Sequence, residues 1–188
     1  MGSWLALITS TFIGGMILLS FNRFSSDISR DTYVQTLDQI AYEQMDELAR
    51  LIDYDFSRIG FGINDPSQAI LIQASATDLR FNIDSNGDGV LETMRYFLGD
   101  STTAAFTSNP RDRMLFRVVN SGTPQGVSSG LTQFTIRYFD AAGNETANLN
   151  LIRTFEVNLT MESEIIYENQ YPKMFWRGRF TPPSLVTS

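Results

Sequence analysis

"VQTLDQIAYEQMDELARLIDYDFSRI", residues 34–59, sets apolar side chains at Val34, Leu37, Ala41, Met45, Leu48, Ile52, Phe56 and Ile59, in steps of three or four. Side chains at that spacing share one face of an α-helix, so the stretch reads as a helix with a single apolar stripe. Asp38, Glu43, Asp46, Glu47, Arg50 and Asp53 fall mostly off the stripe. Gly60 and Gly62 then supply the stop. A one-striped helix must bury that stripe against another apolar surface. The steps match a sustained heptad seam only in part, so a sheet is the expected partner, not a second coiled-coil strand.

The helical pattern continues upstream. No proline occurs between Met1 and Asp65, and no glycine between Gly15 and Gly60. Trp4 to Phe21, "WLALITSTFIGGMILLSF", is 18 residues without a charge, enough to span about 27 Å as a helix, close to a bilayer's hydrocarbon thickness. Trp4 at one end, and Phe21 and Phe24 with Arg23 at the other, suit the two interfaces. The alternatives are a cleaved signal peptide and a buried core helix. Only "MGS" precedes Trp4 and "LLSFNRF" is a poor cleavage site, and a core helix here would be the most N-terminal and least polar part of the protein. Residues 1–22 are therefore expected to form a membrane helix and residues 23–60 its amphipathic continuation. Asp27 and Asp31 offset Arg23, so flanking charge does not set the orientation. Gly14 and Gly15 mark either a bending point or a close helix contact. Trp4, Gly14, Gly15, Leu18 and Phe21 are the candidate membrane and assembly residues.

After Pro66 the period changes to two, the signature of strands with one buried face. "DLRFNID" sends Leu79, Phe81 and Ile83 to one side, and "ETMRYFL" does the same with Met94, Tyr96 and Leu98. "RMLFRVVN" offers Met114, Phe116 and Val118, and "LTQFTIRYFD" offers Phe134, Ile136 and Tyr138. In "FEVNLTME", Phe155, Val157, Leu159 and Met161 alternate with outward Glu156, Asn158, Thr160 and Glu162. Turn signals separate these runs, and "GTPQGVSSG", residues 122–130, reads as a mobile loop. One-sided strands belong in an antiparallel sheet with one wet face. The expected fold is α+β: a long N-terminal helix packed on an antiparallel sheet spanning residues 61–180, followed by a flexible or edge-bound tail, residues 181–188.

Composition narrows the chemistry. The chain of 188 residues contains neither cysteine nor histidine. That excludes disulfides, thiol nucleophiles, histidine-based triads and most zinc sites, so a non-enzymatic role is expected. A net charge of −7 without an obvious basic patch argues against nucleic acid as a partner.

"DSNGDGVLE", residues 84–92, begins as a calcium loop begins. Asp84, Asn86 and Asp88 would be the first ligands, with the Val90 carbonyl and Glu92 completing the set. Position twelve, where such a loop places a bidentate Glu, is Arg95. The other reading is a hairpin turn, since "NG" and "DG" are preferred tight-turn pairs. A structural calcium ion remains the one candidate cofactor. Near the C-terminus, "YPKMFWRGRF" is either a final core-covering strand or a partner patch built on Tyr171, Trp176, Arg177 and Arg179.

An apolar stem continued into an amphipathic helix, then covered by an antiparallel sheet, resembles the type IV pilin family. "YDFSRIGFG" at the helix end, then a strand, an Asp/Asn/Gly-rich hairpin and another strand, looks like PilW-type minor pilins and the J-type minor pseudopilins of type II secretion. The resemblance implies a structural subunit whose N-terminal helix joins other pilin-like subunits in a filament core. It further implies a head that is periplasmic or on the cell surface and makes lateral or adhesive contacts. Members carry a basic leader ending in Gly, then Phe, and a Glu at the fifth mature position. Here the fifth residue after Gly2 is Leu7. The alternative expectation is a single-pass, membrane-anchored binding module that forms no filament.

Overall fold

A computed structural model describes residues 2–164, 166 and 170–186. One helix, α1, runs unbroken over Gly2–Ser57. Seven strands follow: β1 Leu71–Ala74, β2 Asp78–Ile83, β3 Glu92–Leu98, β4 Arg113–Val119, β5 Gln125–Phe139, β6 Thr154–Glu162 and β7 Lys173–Phe180. A turn of 3-10 helix, Ser101–Ala104, precedes β4, and a short helix α2, Pro183–Val186, ends the described chain. The strands pair antiparallel in sequence order, β1 through β7, as one meander. The architecture is α+β, a long N-terminal helix and a seven-stranded antiparallel sheet. The chain divides into two compact units, residues 1–40 and 41–188.

In the second unit, the end of α1 lies on the sheet. Met45, Leu48, Ile52 and Phe56 of α1, with Ile59 just beyond, are buried in one core with Leu79, Phe81, Met94, Tyr96, Phe134, Ile136, Phe155, Val157 and Leu159. Burying each large apolar side chain is worth about 1.5–3 kcal/mol, which is what holds an otherwise marginal helical segment on the strands. Phe56 sits at the centre. Its ring meets Tyr96, Phe155, Phe180 and Phe81 edge-on, with centroids 5.1, 5.6, 5.8 and 6.0 Å away. The stripe buries from Met45 onward, with Ala41 half-buried, whereas Val34 is only half-covered and Ile40 is exposed.

The strand phases of β2, β3, β5 and β6 match the period-two reading; that of β4 does not. Leu115 is buried and Arg117 shares its face, while Phe116 stacks on Phe97 of β3 on the opposite side of the sheet, centroids 5.1 Å apart. The strand is apolar at nearly every position, so its alternation carried no phase information. The expected mobile loop at 122–130 is a second correction. From Gln125 onward it is part of β5, paired to β4 with register shifts between Arg113 and Phe116. Small side chains suit this close approach: a Cβ on Gly126 would lie 2.3 Å from the Met114 sulfur. β1 escaped the period reading because four residues are too few to show alternation.

Two further expectations change. Thr160 and Glu162 point away from the core face, yet both are buried. The segment around Asn109 and Arg111 covers Glu162, so the second face of the sheet is not wet throughout. The tail is not loose over its described part either. Leu185 is buried at 3% exposure and the Ser184 hydroxyl donates to the Ile59 carbonyl, which ties α2 over the end of α1. Thr187 and Ser188 lie outside the described residues.

Candidate functional site

The first candidate is the N-terminal unit. α1 is, among the described residues, the one helix long and apolar enough to cross a membrane, and none of its apolar window is buried within the chain. Trp4, Leu18 and Phe21 are all exposed by about two thirds or more. Three hydroxyls in this stretch, those of Thr9, Ser10 and Thr11, turn inward on the helix itself. Thr9 donates to the Leu5 carbonyl at 2.8 Å and Thr11 to the Leu7 carbonyl at 2.8 Å. Such bonds satisfy polar groups where no water is at hand. The helix passes through Gly14 and Gly15 without interruption, and a Cβ at either would meet nothing within 4 Å. The missing side chain of Gly15 leaves a notch edged by Ile8, Thr11, Phe12 and Leu19. The two glycines are therefore not needed by this chain's own packing.

The second candidate is the loop at 84–92, which joins β2 to β3 as a hairpin with Ile83 opposite Glu92. Gly87 and Gly89 adopt positive φ, as tight turns of this kind require. Asp84 is 5% exposed, and its two oxygens accept the backbone N–H groups of Gly87 at 2.7 Å and Gly89 at 2.9 Å. Asp88 accepts the N–H of Val90 and the Asn86 amide, at 2.7 and 2.9 Å. Glu92 accepts the Ser85 N–H at 2.8 Å and its hydroxyl at 2.9 Å. Each candidate carboxylate thus has protein donors. Among the described residues no three acids gather into a group able to hold a metal ion. Arg95, at the twelfth position, is turned away and clasps Asp78 through Nε and Nη2 at 2.9 and 2.6 Å.

The loop is also tied to the helix end. The Asp84 N–H donates to the Phe61 carbonyl at 2.8 Å, and Arg58 reaches the Ser85 carbonyl at 3.1 Å. Gly62, at φ +78°, passes so close that a Cβ there would stand 2.4 Å from the Asp84 Cβ. Asp84 thereby pins the turn in place. Asp84→Ala, with two charge-assisted bonds lost, is expected to cost about 2 kcal/mol in thermal or urea melts. The loss should be equal in chelator and in millimolar calcium. A loss that grows when calcium is added would show that an ion, not the N–H groups, is the main partner.

The third candidate, the C-terminal patch, is split by strand alternation. Trp176 lies opposite Leu159 and is half-buried against the core beside Phe180. Arg177 and Arg179 stand on the other face, opposite Asn158 and Glu156. Arg177 donates to the Asn158 side-chain carbonyl oxygen at 2.7 Å, and Arg179 lies over the Phe139 ring at 5.3 Å. Tyr171 sits under Arg111, 4.9 Å from the guanidinium carbon. The aromatic that does share the arginine face is Phe175, 74% exposed.

Two polar constellations escaped the sequence reading. Asp55 of α1 is 2% exposed and accepts from the Tyr96 hydroxyl and from Arg117 Nε, the latter at 2.7 Å. Burial and the adjacent carboxylate push the Tyr96 phenol far above its ordinary value. Burial disfavours the Arg117 charge, but Asp55 outweighs it and raises the net basicity. The cluster is a polar clamp between helix and sheet. Its signal was present: a lone arginine inside the apolar run "MLFRVV", and an aspartate beside the stripe in "IDYDF". The other is a buried group near the end of β6, where Glu162 accepts from Arg111 at 2.6 Å, Lys173 at 3.2 Å and the Asn109 amide at 3.1 Å.

No protein-family model matches the chain, and no curated protein sequence matches it.

Proposed function

We propose that the protein is a structural, membrane-anchored subunit of a pilin-like filament, a minor pilin or pseudopilin in its layout, that assembles with other pilin-like subunits through its N-terminal helix. One observation carries the reading: the apolar window of α1 is covered by nothing among the described residues of its own chain, although the rest of the protein has a complete core. A bilayer can cover such a surface, and so can a bundle of like helices. The notch at Gly15 favours close helix contact, because small residues let neighbouring backbones approach where apolar burial gives no drive within lipid. In this reading the anchor lies in a bacterial inner membrane with the second unit on the periplasmic side, or in a filament on the cell surface. The outward Phe175 with Arg177 and Arg179 would then face neighbouring subunits or a surface.

Cysteine placed at Gly14 or Leu18 tests this cleanly, since the protein has none of its own. In membranes, oxidation is expected to give covalent dimers at these positions and none at an exposed control such as Asn144. Gly15→Leu, which fills the notch, should reduce the yield severalfold while leaving the protein in the membrane fraction. Monomer at every position would overturn assembly and leave a single-pass binding module.

A further inference from the structure

Asp112 stands just before β4, 1% exposed, and among the described residues neither carboxylate oxygen has a hydrogen-bond partner. An ionised carboxylate buried without donors is among the least favourable groups a fold can hold, and the usual escape is to take up a proton. The surroundings reinforce this. Glu162 at the end of β6 and Glu164 just beyond it both oppose a charge on Asp112, while Arg111 and the Thr107 hydroxyl favour one. The favourable pair is already engaged. Arg111 is held by Glu162 at 2.6 Å, where Lys173 of β7 joins it at 3.2 Å, and Thr107 donates to the Ala104 carbonyl at 2.9 Å. Burial first, then the neighbouring acids, hold the Asp112 carboxyl up at about 6.

We propose that Asp112 is a built-in pH sensor for the seam between residues 105–112 and the end of β6. As a neutral acid it sits in the seam at little electrostatic cost; ionised, it is an unpaired charge facing Glu162 and Glu164, and the seam loosens. An unfolded aspartate titrates near about 3.9. The folded group therefore holds its proton to higher pH than the unfolded chain does. The penalty is absent below the unfolded value, grows as pH rises through the interval up to about 6, and is complete above it. The seam also carries Tyr171, whose ring lies under Arg111, so a loosened seam would alter the surface at the start of β7.

The test is a series of thermal melts of the full chain in detergent, comparing wild type with Asp112→Asn, which keeps the shape and cannot ionise. From about pH 4 to pH 7.5 the wild type is expected to lose roughly 5 °C relative to the variant. The change in the gap is the readout, so a constant offset from the amide itself does not matter. Glu164→Gln, which removes one opposing acid, should move the midpoint of the wild-type change to lower pH. Amide protection of residues 109–113, corrected for intrinsic exchange, should fall over the same interval in wild type and stay level in Asp112→Asn. A gap that does not vary with pH overturns the proposal. So does millimolar calcium raising the wild-type melting temperature near neutral pH and not that of Asp112→Asn, since the site would then hold a cation and not a proton.

Discussion

Arg117→Ala is expected to destabilise the protein by about 3–5 kcal/mol, because it leaves Asp55 charged, 2% exposed and without its cation. The penalty is less the lost attraction than the stranded carboxylate, which keeps only the Tyr96 hydroxyl as donor among the described side chains. A distinctive corollary follows from removing the whole cluster. With Asp55→Leu, Arg117→Met and Tyr96→Phe combined, no member of the cluster is left buried without a partner, and stability should return to within about 1–2 kcal/mol of wild type. Urea unfolding of the single and triple variants, followed by circular dichroism, measures both. A triple variant no more stable than Arg117→Ala would mean that the clamp is worth more than its desolvation costs, and that the stranded charge is not the source of the loss.

Phe56→Ala should be of comparable size, about 3–5 kcal/mol. The ring is fully buried and contacts four aromatic rings, one each from β2, β3, β6 and β7, so its removal opens a cavity that strands from both halves of the sheet border. Those strands cannot all move inward to fill it, because each is held in register by its neighbours. Because Phe56 lies in the last turn of α1, the variant should also lose amide protection over residues 45–57 before the sheet does. Phe175→Ala is the matching control. That ring is 74% exposed, and its loss should change stability by no more than about 0.5 kcal/mol. A Phe56→Ala variant that melted like Phe175→Ala would show that the helix end is not docked where the core places it.

The elements legible from sequence are those with one consistently apolar face. In "DLRFNID", "ETMRYFL" and "FEVNLTME" that face could be read from the period-two pattern, and Leu79, Phe81, Ile83, Met94, Tyr96, Phe155, Val157, Leu159 and Met161 are buried as expected, with Leu98 partly buried. β4 is apolar on both faces because Phe116 has its own stacking partner in Phe97, and its phase was illegible for that reason. The candidate loop was legible as a hairpin from its "NG" and "DG" pairs. What its acids do was not: the same Asp spacing that could present oxygens to an ion instead presents them to the loop's own N–H groups. The C-terminal cluster was legible as a strand, but grouping Trp176 with Arg177 and Arg179 ignored that neighbours in a strand face opposite ways.

By itself the sequence determined the long helix, its apolar first third, its stripe and the order of most strands, because helix and strand periodicities are local and need no knowledge of what lies across the fold. Only the tertiary structure decided which charges are buried and with whom. Asp55 meets Arg117 across 62 positions, and Asn109 meets Glu162 across 53. Asp112 meets no donor among the described residues. The free energy of a charge is set by the water it loses and the partners it gains, and both depend on chain segments that come together only when the sheet closes on the helix.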